Sequence, residues 1–186
     1  MPALTPLERL LVCPDPDATS DLGRMLATAA RPGDLVCLWG ELGAGKTHLA
    51  KAFGAGLGVT DTITSPSFIL MAEYAGRLPL FHLDLFRLAS AADALGGGLI
   101  DDRQGLGVTL VDWPDRLAAA LPRERLDVVI EGAGDEPRSI AVRAGTPALR
   151  RYLEAIARVT TAGAGRSWPS TRPRPESSSR AGRRTA

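Results

Sequence analysis

Asp34-Leu-Val-Cys-Leu-Trp39, followed without interruption by Gly40-Glu41-Leu42-Gly43-Ala44-Gly45-Lys46-Thr47, is the stretch that decides the fold. The first six residues form an apolar run of strand length. The next eight match G-x-x-x-x-G-K-[ST] without a gap, and Lys46–Leu57 then repeats apolar residues at helical spacing (Leu49, Ala50, Phe53, Leu57) before Gly58, where a helix-ending glycine belongs. A strand, a glycine loop and a helix in that order form a phosphate-binding unit. Glycines let the backbone curl so that successive N–H groups converge on phosphate oxygens. The start of the Lys46 helix adds its partial positive charge. Lys46 is placed to bridge the β- and γ-phosphates, and the Thr47 hydroxyl to ligate Mg²⁺. A glycine-rich turn with an accidental lysine would lack the flanking strand and helix. The motif calls for a nucleoside triphosphate and magnesium; it specifies neither the base nor the reaction.

Outward from this unit the chain alternates strands and helices. Glu8–Cys13 reads as a strand. Asp15 is a helix N-cap with Pro16 at the first helical position, and Ala18, Leu22, Met25, Leu26 and Ala29 follow at helical spacing until Pro32-Gly33. Phe68–Tyr74 and Leu78–Leu83 suggest a hairpin around Ala75-Gly76-Arg77. The stretch 89–106, with Gly96-Gly97-Gly98, reads as a mobile connection. Val108–Val111 is a buried strand ending in Asp112, and Pro114–Leu121 reads as a short helix. Leu126–Glu131 and Ser139–Arg143 resemble an antiparallel pair. Thr146-Pro147 opens a last helix with Leu149, Tyr152, Leu153 and Ile156 on one face. This pattern predicts an α/β fold of the P-loop NTPase type. Its sheet is mostly parallel at the centre, flanked by helices, with antiparallel hairpin additions.

Composition narrows the class. The 186 residues suit one domain with a sizeable core, read as 1–160, followed by an Arg/Ser/Pro-rich tail, 161–186, read as disordered. The tail carries a net charge of +5 and residues 1–160 carry −4, so a broad direct grip on a nucleic-acid backbone is not expected. Two cysteines and two histidines are too few for a four-ligand zinc cluster of usual spacing. No apolar run approaches the ~18 residues of a membrane span, and the N-terminus lacks the pattern of a signal peptide. A cytoplasmic protein with reduced thiols and no membrane association is expected.

A phosphate-loop enzyme also needs an acid for magnesium, usually at the end of a buried strand. Asp112 is the first candidate, Asp84 the second and Glu131 the third. Asp112 is followed by Trp113 and not by a second carboxylate, so the common ATPase pair of adjacent acids is absent. His48 is assigned a surface or packing role, His82 a core role, and Cys37 that of a small buried hydrophobe. Trp113 fits either the core or the rim of a ligand site.

Beyond the loop itself, Ser65-Pro66-Ser67-Phe68, then Phe81-His82-Leu83-Asp84-Leu85-Phe86-Arg87-Leu88, then Val111-Asp112-Trp113-Pro114 follow in order at compact spacing. This ordered set resembles the TsaE (YjeE) family of bacterial tRNA threonylcarbamoyladenosine biosynthesis, over about residues 15–145. The resemblance implies slow Mg²⁺-dependent ATP hydrolysis. It also implies two paralogous partner proteins, one of which transfers the threonylcarbamoyl group to adenosine 37 of tRNAs reading codons that begin with A. The ATPase then acts as a switch or reset factor, meeting tRNA only through that complex. It further implies that residues Gly40 to Thr47 hold nucleotide and that Lys46 contacts phosphate. Thr47 and Asp112 lie on magnesium, and the Ser65–Phe68 segment with Ser67 is a switch loop near the γ-phosphate. Asp84 organises the attacking water, Trp113 is a functional aromatic, and Arg138 lies near the nucleotide. Three positions depart from the family pattern: Asp112 where Glu is usual, Ser67 where Thr is usual, and His48 where Thr or Ser is usual. The alternative is a small-molecule kinase using the same loop, with Gly96–Gly107, including Arg103, as its one lid candidate.

Overall fold

The computed structural model describes residues 7–66, 70–88, 102–117 and 120–162, with side chains as far as 158. Its strands are β1 (Leu7–Cys13), β2 (Asp34–Trp39), β3 (Met71–Tyr74), β4 (Leu80–Asp84), β5 (Val108–Asp112), β6 (Leu126–Glu131) and β7 (Arg138–Ala144). Its α-helices are α1 (Pro16–Ala29), α2 (Lys46–Gly56) and α3 (Arg150–Ala162). The strands form one sheet in the order β1-β7-β6-β2-β5-β4-β3. β6, β2, β5 and β4 run parallel. The outer pairs β6–β7, β7–β1 and β4–β3 are antiparallel. The expected parallel centre with antiparallel additions is what the chain builds.

Local chemistry accounts for most boundaries. Asp15 caps α1 by accepting from the Ala18 N–H at 2.7 Å, and Pro16 occupies the first turn, where its missing N–H is not needed. Between α1 and α2 there is no room for a side chain at Gly23: a Cβ there would meet Ala52 Cβ at 2.8 Å and Leu49 O at 2.9 Å. This close approach buries Leu22 and Leu26 of α1 together with Leu49 and Phe53 of α2. α3 is fixed to the start of β2 by Asp34, whose carboxylate accepts from Tyr152 Oη at 2.6 Å, from the Arg31 N–H at 2.8 Å and from Arg151 Nη2. Burial, followed by the bonded Asp34 carboxylate, pushes the Tyr152 phenol well above its ordinary range.

Three boundaries differ from the sequence reading. Of the expected helix over Pro114–Leu121, the described residues form a 3₁₀ turn at Pro114–Arg116 and a further 3₁₀ position at Ala120, while 118–119 lie outside them. A segment this short cannot offset the cost of helix nucleation, and Pro122 prevents its extension. The hairpin starts later on both arms. Leu70 turns left-handed (φ 64°) with its N–H on Pro66 O at 2.7 Å, so β3 begins only at Met71. Pro79 has no N–H for a ladder, so β4 begins at Leu80. The last helix is 3₁₀ over Pro147–Leu149 and becomes α-helical at Arg150. Of the 89–106 connection, Asp102–Leu106 forms a 3₁₀ helix, while 89–101 lies outside the described residues, as does 163–186.

The helix-facing side of the sheet changes character along the parallel strands. Val36 and Leu38 of β2, Leu80 of β4, Val108 and Leu110 of β5, and Val128 of β6 pack with α1 and α2 in the main core. On the same face, two residues further along β4 and β5, stand His82, Asp84 and Asp112, all buried. Phe81, Leu83, Leu85 and Val111 alternate to the opposite face and form a smaller apolar cluster with Leu117. The acids thus emerge at the carboxyl ends of parallel strands, the edge at which open α/β sheets bind ligands.

Candidate functional site

The loop between β2 and α2 is shaped by three glycines with positive φ: Gly40 (148°), Gly43 (82°) and Gly45 (106°). At Gly40 the requirement is also spatial, since a Cβ would stand 2.6 Å from Ile130 O. The loop wraps Lys46, which is 6% exposed. Its ammonium donates to Gly40 O at 2.5 Å and Glu41 O at 3.0 Å and sits 4.0 Å from the centre of the Trp113 ring. Burial lowers the Lys46 pKa, and this is opposed by the charges of Asp112, Asp84, Glu41 and Asp115. An ammonium has three N–H donors, so one remains for a ligand once the two carbonyls are served.

A cavity of about 260 Å³ opens beside this lysine, lined on its loop side by Leu42, Gly43, Gly45 and Thr47 and on its far wall by Ser65, Asp84, Phe86, Asp112 and Trp113. β4 and β5 place Asp84 directly opposite Asp112 in register. Asp84 accepts from Ser65 Oγ through Oδ2 and from the Phe86 N–H through Oδ1 at 3.0 Å. Asp112 is 2% exposed; its Oδ2 accepts from His82 Nε2 at 3.2 Å, and its Oδ1 has no hydrogen-bond partner among the described residues. A buried carboxylate oxygen left without a donor is suited to a cation or to a cation-bound water. Trp113, next in the chain, adopts a left-handed backbone (φ 60°) and packs against Phe86 with ring centres 4.9 Å apart.

Arg138 approaches the loop from the other side. It donates through Nε to Ala44 O at 2.8 Å, through Nη2 to Gly134 O at 2.8 Å, and through Nη1 to Glu136 O. With Pro14, Pro16, Gly45 and His48 it lines a second groove of about 440 Å³ that shares Gly45 with the first. His48 is exposed there, its Nε2 lying 2.8 Å from Ser20 Oγ and 2.9 Å from Pro16 O, in keeping with the surface or packing role expected of it.

The structure therefore brings Lys46, Thr47, Asp84, Asp112 and Trp113 around one cavity, with Arg138 bracing the loop from outside. Glu131 is exposed at the end of β6 and does not line the cavity. Ser67 lies outside the described residues. Ser65, two residues earlier, is the hydroxyl that reaches Asp84. Ser65 was read only as the start of the Ser65–Phe68 switch segment, Phe86 was given no role, and the His82–Asp112 bond was missed. For Ser65 and Phe86 the available signal was their place within the Ser-Pro-Ser-Phe and His-Leu-Asp-Leu-Phe motifs. Cys37 is fully buried in β2, as expected.

A family model described as "Threonylcarbamoyl adenosine biosynthesis protein TsaE" matches residues 13–140, a span that runs from the end of β1 to β7 and includes every residue placed at the site above. The chain belongs to the TsaE family. A TsaE protein of Bacillus subtilis (strain 168), named for tRNA threonylcarbamoyladenosine biosynthesis, is 42% identical over 131 residues, covering 70% of this chain and 82% of the relative. One from Treponema pallidum (strain Nichols) is 38% identical over 124 residues, covering 67% and 92%. The crystal structure of Bacillus subtilis YdiB superposes with a TM-score of 0.70 at 33% identity, covering 84% of this chain and 98% of that one. The family is one of tRNA threonylcarbamoyladenosine biosynthesis. Among the described residues, no helix of this TsaE chain is long and apolar enough to cross a membrane.

Proposed function

We propose that this TsaE protein binds and slowly hydrolyses ATP with Mg²⁺ and acts as the nucleotide-driven switch of the tRNA threonylcarbamoyladenosine machinery. In this reading its partners are the two paralogous subunits of the transferase complex, and it meets tRNA only through them. The observation that carries the proposal is the junction of the Gly40–Thr47 loop with Asp84 and Asp112 in one cavity. Phosphate would lie against the loop amides and the α2 N-terminus, and the groove beyond Gly45, beside His48 and Arg138, has room for the nucleoside.

In this mechanism each residue has a distinct task. The loop amides and Lys46 bind phosphate oxygens and concentrate positive charge where negative charge builds up. The Thr47 hydroxyl and Asp112 would hold Mg²⁺, and the Asp112 Oδ1, unpartnered among the described residues, fits that task. When bound, the ion would supply charge neutralisation at the phosphate. Asp84, held by Ser65 and the Phe86 N–H, orients water, and Trp113 closes one side of the Lys46 ammonium from solvent. A single water-orienting carboxylate with no acidic residue beside Asp112 suits slow turnover, and slow turnover suits a switch that orders loops with ATP and releases them after hydrolysis. Of the kinase alternative's lid candidate, 96–101 lie outside the described residues, and Arg103 pairs with Glu73 at 3.6 Å and does not line the cavity.

The test is phosphate release from ATP with Mg²⁺, measured alone and with both partner proteins and tRNA. Low release that rises with the partners is the expected result. Release indifferent to the partners, with phosphate appearing on a small acceptor, would refute the proposal.

A further inference from the structure

His82 carries an inference that the nucleotide chemistry does not itself supply. The side chain is completely buried in β4, two residues before Asp84 on the same face, and it is not among the lining residues of the loop cavity. Among the described residues its only side-chain hydrogen bond is the 3.2 Å contact from Nε2 to Asp112 Oδ2, across the β4–β5 pair. A carboxylate oxygen accepts, so Nε2 carries the proton. The other ring nitrogen, Nδ1, has no partner among the described residues. A fully buried imidazole with one nitrogen unsatisfied is a poor choice for filling a core, because a leucine or phenylalanine would fill the same space without a desolvated polar atom. What the imidazole gains is control of one oxygen of Asp112.

That control matters because Asp112 has few other restraints. Of its two carboxylate oxygens, one is held by His82 and the other has no partner among the described residues. Asp also reaches one methylene less far than Glu, so the direction in which its carboxylate points decides whether it meets a cation at all. We propose that His82 is a positioning residue: it fixes Asp112 through Oδ2 so that Oδ1 is the oxygen presented to magnesium. The proposal rests on the Mg²⁺–ATP reading of the site and adds to it a residue outside the ligand's reach. Partners of this kind typically change metal affinity by about 10-fold or more when removed.

The experiment compares the wild-type chain with His82→Leu and His82→Gln. A glutamine amide can reach the position of Nε2 and donate to Asp112, whereas leucine fills the space without a donor. The readout is equilibrium binding of a fluorescent ATP analogue at a series of Mg²⁺ concentrations, and without Mg²⁺ in the presence of a chelator. His82→Leu should raise the Mg²⁺ concentration for half-maximal binding about 10-fold while changing chelator-phase binding less than about twofold. His82→Gln should restore the wild-type magnesium dependence to within about threefold. An unchanged magnesium dependence in His82→Leu would overturn the assignment, as would a parallel loss of binding with and without magnesium, which marks a packing role. If His82→Leu does not fold, His82→Asn takes its place, since its shorter amide does not reach Oδ2; equal magnesium dependence in the Asn and Gln variants would then overturn the proposal. A wild-type protein whose nucleotide binding ignores Mg²⁺ refutes the magnesium reading itself, which is distinct from a wild-type response that the variants share.

Discussion

Replacing Asp84 by asparagine separates water orientation from nucleotide binding. Asp84 is 3% exposed and, among the described residues, accepts from Ser65 Oγ and the Phe86 N–H. Alanine would leave both groups without an acceptor, at about 1–3 kcal/mol each, and would confuse mechanism with folding. Asparagine keeps an acceptor oxygen for the Phe86 N–H, and its amide can donate to the Ser65 hydroxyl oxygen. The remaining cost is that of turning two charge-assisted bonds into neutral ones, about 1–2 kcal/mol in total. For a chain of this size that corresponds to a fall in Tm of about 2–8 °C. The catalytic loss should be larger. A positioned carboxylate acting on the attacking water contributes roughly 10²–10⁴-fold, and the lower figure corresponds to about 2.7 kcal/mol of barrier. Affinity should move the other way. Asp84 places a negative charge beside a cavity assigned to a polyanion, so its removal leaves ATP binding equal or tighter by a few-fold, even though Lys46 loses one of the carboxylates that favour its charged form. Single-turnover hydrolysis and analogue binding on Asp84→Asn measure both quantities. A kcat within twofold of wild type, or a loss of binding that matches the loss of rate, would refute the assignment of Asp84 to water.

Further outcomes follow from the same geometry. Lys46→Ala removes a buried cation of the cavity and should weaken ATP binding or turnover by at least about 10²-fold, read by calorimetry and phosphate release. Arg138→Ala frees the Ala44 carbonyl and loosens the loop, so nucleotide affinity should fall about 10-fold in the same assays; Arg138→Lys should not restore it, because an ammonium cannot reproduce the three-pronged contact to Ala44, Glu136 and Gly134. Asp34→Ala strands Tyr152 and Arg151 and should cost about 3 kcal/mol or more in urea unfolding, with little change in ATP binding. The thiols of Cys13 and Cys37 are pushed up by burial to about 11 and about 12 from 9.0. Because the native state holds these protons longer than the unfolded chain, their contribution is intact below pH 9 and is lost as pH rises toward 11–12. The slope is up to about 1.4 kcal/mol per pH unit for each cysteine. Urea midpoints that stay flat between pH 9 and 10.5 would contradict this, as would rapid alkylation of either thiol in the native protein at pH 8.

The parts of the fold that were legible in the sequence are those in which neighbouring residues carry the instruction. Asp15-Pro16, Gly40 to Thr47 and the apolar run of β2 each specify their own conformation, and their boundaries were read closely. The arms of the hairpin were misplaced because Leu70 has a positive φ that no glycine or asparagine announces, and because Pro79 delays β4 until Leu80. The pairing of β1 with β7 was equally hidden. It joins residues about 130 apart through main-chain bonds, and only the register of β7 on β6 makes an edge available to β1. The acids Asp84 and Asp112 could be named from their place at strand ends. Their juxtaposition could not, because it requires that β4 and β5 be parallel, adjacent and unshifted.

Trp113 shows how such long-range facts combine at the site. A left-handed backbone costs a non-glycine residue about 1–2 kcal/mol, and the sequence Asp-Trp-Pro contains no glycine to relieve it. The conformation is maintained by what it achieves. The turn at Trp113 follows directly on Asp112, ends β5 there, and swings the indole over the Lys46 ammonium at 4.0 Å and against Phe86. A desolvated cation–aromatic contact is worth about 2 kcal/mol and an aromatic pair about 0.5–1.5 kcal/mol, enough together to offset the strain. The strain is thus tied to the position of Lys46. A ligand that draws the ammonium away from the ring removes part of the compensation, so the Trp113 turn should respond to phosphate binding. Trp113 fluorescence is the direct observable, best read in a chain whose Trp39 and Trp168 are replaced by phenylalanine. A signal that changes with ATP in the otherwise wild-type background, and no longer changes when Lys46 is alanine at saturating nucleotide, is the expected result. An equal change in both would show that the indole follows the nucleotide directly and not through the lysine.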